Sequence, residues 1–365
     1  NLVDETLVQL ETNVKVLNFA LESKKAESLS DAQVVAQNPQ VVDLMAYKSS
    51  LETAYGTFMQ PWYEQSAEDG RIHTQWNQVR NSEEGARGTR TGRISSSGPN
   101  LANVAKAFTN KLGAPQRVPV GYSLLPLCRK YLLPEEGQVW LKRDWSGQEF
   151  RILAHFEDAA LMEAYIENPE LDPHGMGKLW VKDITGLDYA RGEIKITGFS
   201  IIYGAGVPGL SKQLARPGHE AHGIRAAYLQ AFPGISELQK STKRRGEQGL
   251  SIRTWGGREY YVEPPKIVKG QHRTFAYKLL NYLIQGSAAD HLKRCLGDWY
   301  WEHRSQHATL LTTVYDEINI SAPEDGWECD MADLKEAMNQ DLFDVPMLSE
   351  GFVGKNWHEL LKEGE

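Results

Sequence analysis

The chain has 365 residues, 41% hydrophobic and 24% charged, with a formal net charge of −8. That length can bury a large core divided into two or three lobes. No apolar run approaches the roughly 20 residues of a membrane span, the first residues, Asn1-Leu2-Val3-Asp4-Glu5, lack the basic and apolar regions of a signal peptide, and the acidic total excludes a uniformly basic nucleic-acid coat.

Residues 1–60 read as helices. Leu2, Leu7, Leu10, Val14, Leu17 and Leu21 recur at helical spacing, Ser30-Asp31-Ala32-Gln33 has the form of a capping box, and Asn38-Pro39 precedes another helix through Val41, Leu44, Tyr47, Leu51 and Tyr55. Residues 71–104 are rich in Thr, Ser, Gly, Asn and Arg, an extended segment with many short donors suited to phosphate and sugar, or equally a plain polar loop. Charge is uneven here: residues 71–130 hold ten Lys and Arg against only Glu83 and Glu84.

The run Val139-Trp140-Leu141-Lys142-Arg143-Asp144 predicts a strand ending in an acid, and helical spacing begins at Gln148-Glu149-Phe150. Leu171-Asp172-Pro173-His174-Gly175 predicts a turn. In the helix predicted from Arg191, steps of about 100° per residue put Arg191, Lys195, Phe199 and Tyr203 on one face. Two cations followed by two aromatics can receive a triphosphate and its base, although an amphipathic helix with incidental basic residues looks the same.

Ser251 to Glu263 predicts a hairpin turning at Gly256-Gly257, and Phe275 to Trp299 a helix with Asn281 and Gln285 on one face and small residues at Gly286-Ser287-Ala288-Ala289. Thr309 to Ser321 predicts a second hairpin presenting Asp316 and Glu317 at its bend. Alone, that acid pair is equally a solvated turn. If the strand ending in Asp144 lies beside it, Asp144 and Asp316 converge, and two neighbouring carboxylates repel unless divalent cations, Mg²⁺ above all, sit between them. Cys128, Cys295 and Cys329 are odd in number and lack zinc-ligand spacing, which predicts reduced, buried thiols in a cytosol-like compartment.

Taken together, these segments resemble the polymerase region of family-A DNA polymerases, the bacterial polymerase I type and its phage relatives. Motif A is Asp144-Trp145-Ser146-Gly147-Gln148-Glu149-Phe150-Arg151, motif B is Arg191, Lys195, Phe199 and Tyr203-Gly204, and motif C is Val314-Tyr315-Asp316-Glu317. Thr91-Gly92-Arg93-Ile94-Ser95-Ser96, Pro99-Asn100-Leu101, Asn103, Asp172-Pro173-His174 and Gln285-Gly286-Ser287-Ala288-Ala289-Asp290 extend the likeness from about residue 70 to the end.

The resemblance implies an α+β, right-hand polymerase fold: a helical thumb over residues 1–75, an antiparallel-sheet palm over 76–155 and 276–365, and mostly helical fingers over 156–275. It implies primer extension by deoxynucleotides, with Asp144, Asp316 and the Trp145 carbonyl holding two Mg²⁺ ions, for which Mn²⁺ can substitute. Lys195 would be the acid at the departing pyrophosphate, and Glu317 is counted with Asp144, Asp316 and Lys195 as catalytic. Arg191, Lys195, His174, Phe199, Tyr203, Ser146, Gly147 and Gln148 would meet the nucleotide, and Glu149 would crowd a ribose 2′-hydroxyl. Arg93, Asn100, Asn103, Asn281, Gln285 and Tyr315 would lie along the primer-template. The expected setting is the cytoplasm of a bacterial or phage-infected cell, without a membrane.

Tyr315 stands where the family usually has His, and Gly147-Gln148 is the more phage-like form of motif A. With nothing before the thumb that could form a 3′–5′ exonuclease, this piece is expected to lack proofreading. Two other readings remain: a primer-template binding protein that has lost its chemistry, and a single-subunit RNA polymerase, against which Glu149 and Glu317 weigh.

Overall fold

The computed structural model of the protein describes residues 39–80, 87–109, 116–268 and 270–364. The Leu2–Leu21 repeat and the pattern at Ser30–Gln33 lie outside them. In chain order, helix Pro39–Glu52 runs through a π-helical turn, Thr53–Met59, into helix Gln60–Asp69, and a short ribbon follows of β1, Gln75–Asn77, with β2, Ser95–Ser97. After β3, Gln138–Trp145, come seven helices: Gln148–Glu157, Ala160–Glu167, Pro173–Thr185, Arg191–Ile202, Val207–Leu214, Gly218–Ala231 and Pro233–Glu247. Two small hairpins, β4, Ile252–Arg253, with β5, Glu259–Tyr260, and β6, Lys266–Val268, with β7, Gln271–Arg273, precede the long helix Leu279–Asp298. The chain ends with β8, Thr309–Val314, β9, Glu317–Pro323, helix Trp327–Met338, β10, Ser349–Gly354, and β11, Leu360–Lys362.

The centre is a five-stranded antiparallel sheet in the order β11-β10-β3-β9-β8, so the fold is α+β. Alternation along β3 divides its side chains between two faces. Val139, Leu141 and Trp145 join Ile318, Ile320, Met331 and Leu334 in one apolar cluster, while Trp140 joins Tyr47, Leu51, Leu101, Val314 and Trp357 in another. Each such side chain, fully buried, contributes roughly 1.5–3 kcal/mol. With apolar layers on both sides, the sheet is a rigid support for what projects from its end.

Several expectations are corrected. Asp172-Pro173-His174-Gly175 is the start of a helix rather than a turn: Asp172 Oδ1 accepts from the His174 N–H at 3.1 Å, and Pro173 occupies the first helical turn, where its missing N–H costs nothing. Asp144 is the penultimate residue of β3, which continues to Trp145. The helix expected from Phe275 opens with a 3₁₀ turn, Ala276–Lys278. Cys128 and Cys295 are buried free thiols, but Cys329 is exposed. Among the described residues no helix is long and apolar enough to cross a membrane.

Candidate active site

β3 and β9 lie side by side with Asp144 opposite Glu317. The β8–β9 hairpin pairs Val314 with Glu317, leaving Tyr315 and Asp316 as its bend, with Tyr315 in the left-handed region at φ 58°. The Trp145 N–H donates to the Asp316 carbonyl at 3.1 Å, carrying the ladder past the bend and fixing Asp316 beside the end of β3. Burial first, then the charge of Asp144, push the Asp316 carboxyl up to about 7. Asp144 is also pushed up, by burial and by Glu317, against the lowering pull of Lys142.

Two carboxylates that resist ionisation beside one another fit a hard divalent cation. Among the described residues no group of three or more His, Cys, Asp or Glu comes together to hold a metal, so further ligands must be backbone, water or substrate oxygens. Trp145 can serve only through its backbone, because its indole is buried and donates to the Met338 carbonyl at 2.8 Å.

Beside Asp316 opens a cavity of about 870 Å³ that is also lined by Ser146, Gly147, His174, Arg191, Lys195 and Phe199. Gly147 has φ 71°, and the nearest atom to where a Cβ would stand is Tyr165 Oη at 3.9 Å, so the sharp turn from β3 into the next helix, not crowding, asks for glycine. The helix Arg191–Ile202 presents Arg191, Lys195 and Phe199 to this space, as its period requires. Arg191 is held bidentately by Asp172, at 2.6 and 2.8 Å. His174 is buried with its ring edge-on to Phe150, 4.7 Å between centroids. Burial, then the charge of Lys195, lowers its pKa to about 4, so near neutrality the ring is uncharged and its Nδ1 has no hydrogen-bond partner.

Deeper in the same region, Glu149 is buried between Arg93, with which it forms an ion pair, and the Tyr203 hydroxyl, which donates to Oε2 at 2.9 Å. Burial and then Glu149 push the Tyr203 phenol up, while a hydrogen bond with Gln285 acts the other way. Arg93 also lies over the Tyr315 ring at 5.3 Å, so one guanidinium joins the Glu149 cluster to the hairpin bend. Asn100 accepts from Ser96 at 3.3 Å, Asn103 is exposed at the end of a 3₁₀ turn, and Asn281 lies one helical turn before Gln285.

Gln148 departs from its expected place. It is buried, its Nε2 lying 3.1 Å from His291 Nδ1 and 3.4 Å from the Ala288 carbonyl, so it points into the core and away from the nucleotide-sized space. Glu317 is also buried, beside Lys142 at 3.3 Å, Arg129 at 3.7 Å and Asn319 at 3.3 Å. Neither of these two cations was placed beside Glu317 from the sequence. The signal was present: Lys142 is two residues before Asp144 on a strand and so must share its face.

The sequence profile of DNA polymerase family A matches residues 5–359. DNA polymerase I of Caldicellulosiruptor bescii is 28% identical over 347 residues, 93% of this chain and 38% of that protein. The thermostable DNA polymerase I of Thermus filiformis is 32% identical over 299 residues, 80% of this chain and 33% of that one. The chain therefore spans about a third of the length of these relatives. The solved POL domain of Pol1 from M. smegmatis, in complex with DNA primer-template and dNTP, superposes with a TM-score of 0.77 at 20% identity, covering 98% of this chain and 66% of that one. The fold is that of a polymerase domain.

Proposed function

The chain belongs to DNA polymerase family A, and from that premise we propose that it is a template-directed DNA polymerase that adds deoxynucleotides to a primer 3′ end and releases pyrophosphate. The observation that carries this reading is the single cavity shared by Asp316, Arg191, Lys195, His174 and Phe199: an acidic hairpin at one side faces cations and an aromatic on one helix at the other. In this reading residues 1–75 form the thumb, 76–155 and 276–365 the palm, and 156–275 the fingers.

Asp144, Asp316 and the Trp145 carbonyl are the groups that would hold two Mg²⁺ ions. Such ions supply charge neutralisation at the primer hydroxyl and at the leaving phosphate oxygens. The protein's own contribution is positioning and electrostatics. Lys195 is exposed to the cavity and can place its ammonium, or its proton, on the departing pyrophosphate. Arg191 exchanges the Asp172 carboxylate for a phosphate, since both accept the same bidentate fork. Neutral His174 can donate one ring N–H to a phosphate oxygen without adding charge. Phe199, against Phe150 at 5.0 Å between centroids, gives the base and sugar an apolar wall. Glu149, anchored on both oxygens, stands as a fixed obstacle to a 2′-hydroxyl. Arg93, Asn100, Asn103, Asn281, Gln285 and Tyr315 contact the primer-template in this reading, through groove acceptors and phosphates that are nearly independent of sequence.

The test is primer extension with Mg²⁺, comparing deoxynucleotides with ribonucleotides. Extension with deoxynucleotides alone is expected. A protein that binds duplex yet never lengthens the primer would be an accessory binder, and preferential use of ribonucleotides would make it an RNA polymerase.

A further inference from the structure

The ammonium of Lys142 lies 3.0 Å from Asp144 Oδ2 and 3.3 Å from Glu317 Oε2. It is only 4% exposed. Its neighbours across the sheet are Asn319 on β9 and Phe352 on β10, and the ammonium sits 4.7 Å over the Phe352 ring. Asn319 is itself held from both sides, accepting from the Trp140 indole at 2.9 Å and donating to Glu317 at 3.3 Å. The lysine therefore has no freedom to swing into solvent. A charge pair enclosed to this degree is costly to build and strongly destabilising to break by halves, which sets it apart from the exposed pairs of the surface.

Its placement has a chemical consequence. Asp144 Oδ2 already faces the Lys142 ammonium, so Oδ1 keeps the larger share of the carboxylate's acceptor capacity for another ligand. The carboxylate is turned in one direction, and part of its charge is already neutralised before any metal arrives.

We propose that Lys142 is a positioning residue whose ammonium acts as a built-in counter-ion of the acidic corner, fixing Asp144 and weakening divalent-ion binding until nucleotide phosphates complete the ligand set. The proposal rests on the polymerase reading for the nucleotide and on geometry alone for the counter-ion. A fixed positive charge within several ångströms of a divalent ion repels it even at the screening typical of a protein edge, and removing it strengthens binding by about tenfold or more.

The experiment measures Mn²⁺ binding to the chain without DNA or nucleotide, by the electron paramagnetic resonance signal of free Mn²⁺ at pH 8, for the wild type, Lys142→Met and Lys142→Arg. About tenfold tighter binding is expected for Lys142→Met, and a change within about twofold for Lys142→Arg, which keeps the charge. On adding a deoxynucleoside triphosphate, the gap between wild type and Lys142→Met should narrow. Equal or weaker Mn²⁺ binding by folded Lys142→Met overturns the proposal. If that variant folds only when Mn²⁺ is present, the ion has replaced the ammonium, as the proposal requires. If it folds in neither condition, Lys142→Gln is measured with the same expectation, and a more than fivefold change in Lys142→Arg is itself contrary. Failure of the wild type to extend a primer would remove the polymerase reading while leaving the Mn²⁺ comparison to judge the counter-ion.

Discussion

The hydroxyl of Tyr203 donates to Glu149 Oε2 at 2.9 Å, and Arg93 pairs with the other carboxylate oxygen. Glu149 is in the first turn of the helix after β3 and Tyr203 caps the helix that carries Arg191 and Lys195, so a side chain from one element is set by another. A hydrogen bond to a charged group contributes about 1.5–3 kcal/mol. Tyr203→Phe removes it while keeping the ring, and the ratio of kcat/KM for deoxy- over ribonucleotides should fall by about tenfold, with a larger fall for Glu149→Ala. An unchanged ratio in both variants would mean that Glu149 does not stand where the sugar binds.

Asp144→Ala and Asp316→Ala should each reduce primer extension by at least about a thousandfold, the scale of losing a principal charge stabiliser, with little change in duplex affinity, which comes mainly from phosphate contacts. Asp316 adds a second readout. Its folded pKa is raised from 3.8 to about 7, so the folded state holds a proton that the unfolded state has lost between those values. Its contribution to stability falls as pH rises through that window and is fully unfavourable above about 7. Metal-free Asp316→Asn should therefore melt higher than the wild type at pH 8 and show a smaller advantage at pH 5. A lower Tm at pH 8 would contradict the repulsion between Asp144 and Asp316.

How much of this was legible beforehand depended on range. The Thr309–Ser321 hairpin and the helix from Arg191 are local patterns with periods of two and 3.6, and both elements form, with Arg191, Lys195 and Phe199 facing the cavity; of the two acids read at the bend only Asp316 is there, Glu317 being the first, buried residue of β9. The pairing of β3 with β9 was only a condition in the sequence, because register between strands so far apart is set by tertiary packing. Gln148 was misassigned through adjacency: one helical step of about 100° from Glu149 turns it into the core. Alternation puts Lys142 on the face of Asp144, but its second partner, Glu317, comes from β9 through a long-range pairing that the local pattern does not contain. The turn read at Asp172-Pro173 follows from residues that start helices as readily as they make turns.

His174 supplies a test in acid. Burial lowers its folded pKa from 6.5 to about 4, so between those values the unfolded state binds the proton and the folded state does not. Stability due to this residue is present above about 6.5 and declines as pH falls toward 4. The cost between pH 7 and pH 5 is about 2 kcal/mol. In urea unfolding at the two pH values, His174→Phe should lose less stability than the wild type by roughly that amount. An identical loss in both proteins would show that the imidazole is not kept neutral by its surroundings.

Two glycines on the cation-bearing helix should respond oppositely to the same substitution. A Cβ on Gly198 would stand 2.7 Å from Tyr228 Oη and 2.9 Å from Phe150 Cζ, and both rings are fully buried, 1% exposed, so neither can move aside cheaply. Overpacking of this kind costs about 1–3 kcal/mol, which outweighs the helix-propensity gain of about 1 kcal/mol for Gly to Ala. Gly192, in the exposed first turn of the helix, has no atom within 4 Å of the added carbon, so there the propensity gain stands unopposed. Gly198→Ala should lower Tm and, by pushing Phe199 and Lys195 away from Phe150 and the cavity, raise the KM for deoxynucleotides, whereas Gly192→Ala should leave KM unchanged and raise Tm slightly. Equal shifts in the two variants would mean that the helix is not seated on Phe150 and Tyr228, and that the spacing between Lys195 and Asp316 is not set by that contact.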